Sequence, residues 1–205
     1  DSSKILDIPT LQTPHVDERN FLVNGLFIWL PSANALSYQI QIARDTSFTP
    51  LLVDLAANIS SYRATALPYY TRLYWRLRAK YTAGWSEWSI PRSFVTTMAG
   101  PVLRTPKQYA TDISVNTFLT WDSTAGATSY RVQVSKDQAW GVPVVDTSNV
   151  KGFSYRVLNL MPSTQYYWRV TGLNPSGNGE NSVEWQFTTS PNTGVADPIR
   201  ASAFL

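Results

Sequence analysis

The sequence predicts an all-β protein that consists of two tandem β-sandwiches joined by a short linker. Two observations carry this prediction. The chain repeats itself at an offset of 92 to 93 residues, and each copy contains short stretches in which apolar and polar residues alternate. No long stretch has the periodicity of a helix, and eight Trp and eleven Tyr residues favour strands. An apolar content of 43% is sufficient for packed cores.

The internal repeat extends over a whole domain length. An offset of 92 residues aligns Trp29 with Trp121, and after one inserted residue an offset of 93 aligns Tyr74-Trp75-Arg76 with Tyr167-Trp168-Arg169. Chance does not maintain such a register over so many positions. We therefore expect one domain at residues 1–97, a second at residues 98–191 and a tail at residues 192–205.

The strands of each copy follow one another in the same order. Turn residues such as Pro31-Ser32-Ala33-Asn34 and Asn174-Pro175-Ser176-Gly177 separate them. Seven short strands in each copy predict an immunoglobulin-like sandwich. The alternating apolar positions are Phe27 and Trp29, then Tyr38, Ile40 and Ile42, and in the second copy Leu119 and Trp121, then Tyr130, Val132 and Val134.

The longest predicted strand of the first copy ends at Tyr81 and has two distinct faces. Leu73, Trp75, Leu77, Ala79 and Tyr81 share one face, and Tyr74, Arg76, Arg78 and Lys80 share the other. The first set is expected to be buried. Phe48 and Trp140, which the repeat aligns, are expected to cover one end of each sandwich.

Both copies resemble fibronectin type III domains of the bacterial extracellular type. The matching stretches are Ala125–Ser135 after Trp121, Leu160–Tyr166 after the next strands, and Trp185–Thr189. The resemblance implies that Trp121 is a core residue and that the Tyr166 hydroxyl binds the backbone as a tyrosine corner. The first copy has Leu73 at the position of Tyr166, so its corner is either apolar or served by Tyr74 or Tyr70.

Residues Trp85-Ser86-Glu87-Trp88-Ser89 resemble the W-S-x-W-S box of cytokine receptors, which are also built from paired fibronectin type III domains. That resemblance implies that the two Trp rings interleave with arginines of the neighbouring strand. The box has two interpretations, a local stacking device or a ligand platform for which carbohydrate is the natural candidate. The candidate binding residues are Trp85, Trp88, Arg76, Arg78, Tyr74 and Tyr81.

Catalysis and metal binding are hard to build from the residues of this sequence. There is no Cys, and His15 is the single histidine, so a structural zinc site and a Cys–His pair are excluded by count. No G-x-S-x-G nucleophile elbow occurs. We expect no enzyme activity, no catalytic residue, no metal and no cofactor. A net charge of +3, evenly divided, and the lack of a long apolar run predict neither nucleic-acid binding nor a membrane span.

The tail contains alternating small and apolar residues. It is either a linker or a strand that adds to the sheet edge of a neighbouring molecule. The candidate assembly residues are Ile199, Ala201, Ala203, Phe204 and Leu205.

Together these features predict a secreted, non-catalytic extracellular or cell-surface protein with a structural or adhesive role. Its two domains would act as a spacer and an interaction surface. The alternatives are an accessory segment of a secreted polysaccharide-degrading enzyme and a subunit of an extracellular filament that assembles through the tail. A protein partner or self-association is expected, and carbohydrate is a further candidate ligand.

Overall fold

The computed structural model describes residues 6–191, and every regular element in that range is a β-strand. The chain forms two compact units, and the first gives way to the second at the boundary between Ala99 and Gly100. The first unit contains β1 (Leu11–Thr13), β2 (Glu18–Phe21), β3 (Leu26–Trp29), β4 (Ser37–Ala43), β5 (Leu51–Ala57), β6 (Ser61–Arg63), β7 (Arg72–Tyr81), β8 (Gly84–Trp85) and β9 (Arg92–Thr96). The second contains β10 (Leu103–Thr105), β11 (Ala110–Ile113), β12 (Thr117–Trp121), β13 (Ser129–Ser135), β14 (Val145–Val150), β15 (Ser154–Val157), β16 (Gln165–Asn174), β17 (Gly177–Asn181) and β18 (Trp185–Thr189).

The strands of the first unit form two sheets. One sheet has the antiparallel order β1-β3-β6, and the other has the order β2-β9-β7-β4-β5, with β8 paired to the end of β7. The short β2 runs parallel to β9, whereas the other pairs are antiparallel. This arrangement closes an immunoglobulin-like sandwich.

The second unit repeats this topology strand by strand. Its sheets have the orders β10-β12-β15 and β11-β18-β16-β13-β14, with β17 paired to β16. Within residues 6–191 each unit has eight strands in its two sheets and a ninth, β8 or β17, beside the long central strand, which is two more than the seven that the sequence predicts. The prediction of an all-β chain with two tandem sandwiches is confirmed.

The buried side chains come from the positions that the alternation identified. In the first unit Trp29, Ile40 and Trp75 are 0–1% exposed, and in the second Leu119, Val132 and Trp168 are fully buried. Ring pairs such as Phe27 with Trp75, whose centroids are 5.1 Å apart at an interplanar angle of 73°, fill the first core edge to face. Each unit therefore has its own aromatic core.

A tyrosine corner is present in the second unit, as predicted. The backbone amide of Met161 donates to the hydroxyl of Tyr166 at 2.9 Å. In the first unit the corner is apolar, because Leu73 is fully buried and Tyr70 is 45% exposed. A threonine hydroxyl ties the same loop in both units: Thr96 donates to the carbonyl of Pro68, and Thr189 donates to the carbonyl of Met161, each at 2.6 Å.

Among residues 6–191 no helix is long and apolar enough to span a membrane. The proposed assembly residues Ile199, Ala201, Ala203, Phe204 and Leu205 lie outside the described residues.

Candidate functional site on the outer face of the first unit

Strand β7 presents a row of cations on its outer face. Its burial alternates strictly, with the positions from Leu73 to Tyr81 at most 7% exposed on one face and half-buried side chains on the other. The outer positions are Tyr74, Arg76, Arg78 and Lys80. Successive outward side chains on a strand are about 6.5–7 Å apart, which leaves room for one aromatic ring between each pair.

The two serines of the Trp85–Ser89 segment hold it against the edge of β7. The amide of Ser89 donates to the carbonyl of Leu77 at 2.8 Å, and the Leu77 amide donates to the Ser89 hydroxyl at 3.0 Å. Ser86 makes the same two contacts with Ala79, at 2.9 and 3.0 Å. These bonds pair the stretch of β7 that lies between its partners β8 and β9. The serines therefore take the place of strand partners, and Trp85 and Trp88, each of which directly precedes one of these serines, contact the cations of the outer face.

Aromatic rings and cations alternate along this face, in a group that we call the ladder. The guanidinium carbon of Arg76 lies 4.0 Å from the ring centroid of Phe48 and 4.3 Å from that of Trp88. The guanidinium of Arg78 lies 4.5 Å from both Trp88 and Trp85, and the Lys80 ammonium lies 5.1 Å from Trp85. The order of the ladder is thus Phe48, Arg76, Trp88, Arg78, Trp85, Lys80.

A row of polar side chains continues the ladder across the sheet. Arg76 donates two hydrogen bonds to the Oε1 of Gln41, at 2.9 and 2.7 Å, and Arg78 donates to the Oε1 of Gln39 at 2.8 Å. Both glutamine amides then donate to the carboxylate of Asp54 on β5. Each guanidinium is therefore fixed in its plane by a glutamine while its faces contact the rings.

Burial lowers the pKa of Arg76 from its ordinary value, and the neighbouring charge of Arg78 lowers it further. Arginine stays protonated in proteins, so this lowered pKa reports first the cost of burying the guanidinium and second the cost of placing it beside Arg78, which the charge of Asp54 partly offsets. The electron-rich ring faces offset that cost, and each cation–π contact contributes roughly 0.5–1 kcal/mol at exposed sites. The arrangement accounts for why two arginines can occupy neighbouring outward positions.

The structure brings together four of the six candidate binding residues, Trp85, Trp88, Arg76 and Arg78. Tyr74 lies on the same face, half-buried, opposite Ser93 of β9. Tyr81 lies on the inner face, 7% exposed, and its hydroxyl donates to the carbonyl of Asp7 at 2.8 Å. The six residues therefore do not form one continuous surface.

The ring faces of the ladder are already in contact with cations. Trp88 lies between two guanidiniums, and Trp85 contacts one guanidinium and one ammonium. A sugar ring that stacked on Trp88 would have to displace an arginine. The carbohydrate platform remains a prediction, and the geometry favours the stacking interpretation of the box.

The second unit contains a reduced version of the same site. The offset of 93 residues aligns the box with Asn178-Gly179-Glu180-Asn181-Ser182. Ser182 accepts from the Val170 amide at 3.0 Å and donates its own amide to the Val170 carbonyl at 2.8 Å, as Ser89 does with Leu77. Thr171 and Asn181, which replace Arg78 and Trp88, form a side-chain hydrogen bond. The backbone arrangement is thus shared, whereas the ring stack belongs to the first unit.

One rung of the ladder is retained in the second unit. The guanidinium of Arg169 lies 4.0 Å from the Trp140 ring centroid and donates to Gln133 at 2.9 Å. The expectation that Phe48 and Trp140 cover one end of each sandwich is wrong, because both rings contact the outer-face arginine. Sequence reasoning missed Phe48, Gln39, Gln41 and Asp54, although the repeat aligns Phe48, Gln41 and Asp54 with Trp140, Gln133 and Asp146.

The carboxylate at the end of the polar row is paired differently in the two units. Arg131 donates two hydrogen bonds of 2.6 Å to Asp146, and these bonds lower the pKa of that carboxyl from its ordinary value. Gln39 stands at the matching position in the first unit. Asp54 consequently accepts only from two neutral glutamines among the contacts described above.

No protein-family model matches the chain, and no curated protein matches it. Many solved structures are similar to it, and two of them are tandem-domain proteins from chicken. The FN1–FN3 domains of chicken CNTN1 cover 90% of this chain and 69% of that chain, at 16% identity and a TM-score of 0.44. A two-domain fibronectin type III segment of chicken tenascin covers 89% of this chain and 100% of that chain, at 18% identity and a TM-score of 0.41. At these values neither likeness carries an argument about function, and the fold assignment depends on the strand order and register given above.

Proposed function

We propose that this chain is a non-catalytic structural or adhesion module of an extracellular or cell-surface protein, in which the two units act as a spacer and an interaction surface. The observation that carries the proposal is the ladder. The most distinctive side chains of the first unit contact one another and its own strands, which is expected of a group that stabilises a module. The fibronectin type III-like fold, present twice in tandem, supports the same role.

Single-molecule stretching of the two-unit chain tests the spacer role. We expect two separate unfolding events, because each unit has its own core. Each event should lengthen the chain by roughly 300 Å, since about 92 residues extend by at most 3.3–3.6 Å each. A chain that extends without resolved unfolding events would contradict a role in spacing.

The proposed role as an interaction surface is tested by the adhesion of protein-coated beads to cells or matrix. Beads coated with the full chain should adhere to cells or matrix of the source organism, whereas beads coated with heat-unfolded chain should not. Equal adhesion of the two preparations would show that the folded surface is not recognised and would contradict the adhesive part of the proposal.

The carbohydrate alternative has its own test in tryptophan fluorescence. Stacking of a sugar on Trp85 or Trp88 should change the emission when soluble polysaccharides are titrated, and Trp85→Ala should remove that change. Trp140→Ala in the second unit is the matched control. Emission that does not respond to any glycan would argue against both a ligand platform and an accessory role beside a polysaccharide-degrading domain.

A further inference from the structure

The first unit has one long open edge. Strand β5 is the terminal strand of its sheet and pairs only with β4 in the part of the chain that the structure describes. It is seven residues long, whereas β1 and β6, the edges of the opposite sheet, have three each. In an antiparallel pair every second residue of the edge strand directs its N–H and C=O away from its partner. These groups of β5 are available to another strand.

The sequence of β5 has few of the features that usually protect such an edge. It reads Leu-Leu-Val-Asp-Leu-Ala-Ala, with one charge at Asp54 and without Lys or Pro, and Leu52 and Leu55 are each 40% exposed. Edge strands are normally blunted by charges, proline or bulges, because an apolar edge pairs with other chains. The register irregularity of β5 is confined to its first residues, near Leu51.

The equivalent edge of the second unit is protected by polar residues and by a bulge. Strand β14 carries Thr147 and Ser148 where β5 carries Leu55 and Ala56. Its register shifts within the strand, and Asn149 has a left-handed φ of 62°. A bulge there bends the strand and interrupts pairing. Two copies of one fold thus differ at the same edge, and only the first is suited to accept a strand.

A carboxylate that makes no direct ion pair within residues 6–191 marks the middle of the open edge. Asp54 lies on the outer face of β5 and opposite Gln41, whereas Val53 and Leu55 face inward with Ile42 and Ile40. In residues 6–191 the direct ion pairs engage Asp17, Asp122 and Asp146, whereas Asp54 accepts hydrogen bonds from Gln39 and Gln41 and interacts with the charge of Arg76 only at longer range. An incoming strand that places a cation beside Asp54 would extend the polar row by one position.

We infer that β5 of the first unit accepts residues Ile199–Leu205 of a second copy of this chain as an added strand. This segment has the required pattern, with Ile199, Ala201 and Ala203 at one parity and Arg200 at the other. When Arg200 is placed opposite Asp54, Ile199 and Ala201 oppose Val53 and Leu55 in either strand direction. Backbone hydrogen bonds then supply affinity and the side-chain pattern supplies specificity.

Sedimentation of the full chain over a wide range of concentrations tests this inference. We expect self-association that weakens at least tenfold in Leu55→Lys, because a lysine at the edge opposes strand pairing. Thr147→Lys, the same change at the equivalent position of the second unit, is the matched control and should leave association unchanged. A chain that stays monomeric at every concentration overturns the inference, as does association that Leu55→Lys leaves intact.

A charge exchange identifies the segment and its register. Arg200→Asp should weaken association, and the double variant that also carries Asp54→Arg should regain it, because the two charges are then exchanged. Arg200→Asp changes no residue of the described range, so its result is read separately where Asp54→Arg destabilises the first unit. A synthetic Ile199–Leu205 peptide should compete with association, and failure of both the exchange and the peptide would exclude this segment. The stretching experiment is performed on single chains, so its outcome is independent of this pairing.

Discussion

At the scale of the single residue, the tyrosine corner shows two positions that differ together between the units. Tyr166 accepts a hydrogen bond from the Met161 amide. The first unit has Leu73 and Pro68 at these two positions. Proline has no N–H, so a tyrosine at position 73 would have no donor to accept from. The sequence therefore contains the explanation of the apolar corner, although the repeat alone left Tyr74 and Tyr70 as alternatives.

The presence of a tyrosine corner in the second unit only predicts that exchanging the corner residue has a different effect on the stability of each unit. Tyr166→Phe should lower the free energy of unfolding of the second unit by about 0.5–1.5 kcal/mol, because the Met161 amide loses its acceptor. Leu73→Tyr should destabilise the first unit, since the larger side chain enters a filled core without a partner for its hydroxyl. Urea unfolding followed by amide exchange in each unit measures both. Stabilisation by Leu73→Tyr would contradict this explanation.

Titrating carboxylates predict where stability depends on pH. The folded-state pKa of Asp17 is lowered by the Ser93 hydroxyl and by Arg72, and that of Asp146 chiefly by Arg131. A carboxyl whose pKa is lowered in the folded state stabilises the fold fully at pH values above its ordinary pKa of 3.8. This contribution is lost as the pH falls through the folded-state pKa. Acid titration of the unfolding midpoint should therefore show a decline below about pH 4, and Asp146→Asn should make that decline shallower in the second unit. An unchanged slope would contradict the assignment.

At the scale of the element, the serines of the box are the feature that both units share. Ser89 and Ser182 each accept a hydrogen bond from a buried amide of the long central strand, donated by Leu77 and Val170. The segments that carry them differ at both tryptophan positions. Both units thus need a hydrogen-bond acceptor for a buried amide of the long central strand, and the ring stack is an additional feature of the first unit.

The shared serine predicts equal effects in the two units. Ser89→Ala and Ser182→Ala should each lower the free energy of unfolding by roughly 1–3 kcal/mol, because each leaves a buried N–H without an acceptor. Thermal unfolding of the full chain, with exchange of the Leu77 and Val170 amides as local readouts, provides the measurement. A large effect in the first unit alone would mean that the serine acts through the tryptophans instead.

Part of this site could be predicted from the sequence and part could not. Alternation separates Arg76 and Arg78 from the buried face of β7, and the resemblance of Trp85–Ser89 to the W-S-x-W-S box implies that its tryptophans stack on them. Phe48, Gln39 and Gln41 reach the ladder from other elements, so their role depends on the register of β4 against β7 and on the loop after β4. Parity should have excluded Tyr81 from an outer-face platform, because it shares the inward face with Trp75.

At the scale of the whole molecule, the two copies of the repeat have the same fold. The positions at which the copies differ identify the side-chain groups that belong to one unit only. The two units share strand order, core positions and the serine arrangement. They differ in the ladder, in the corner and in the edge formed by β5 or β14. The complete ladder and the edge proposed to accept a strand lie in the first unit, whereas the second unit retains one cation–π contact of the ladder and an edge interrupted by a bulge.

We propose that the ladder stabilises the first unit by mutual stacking. A double-mutant cycle with Arg78→Ala and Trp88→Ala in the full chain tests it most directly, with the unfolding of the second unit as internal reference. We predict a coupling of about 0.5–1 kcal/mol in the first unit, because either change alone already removes their contact, and no effect on the second. Additive effects in the first unit, within the error of the unfolding free energies, would contradict the account.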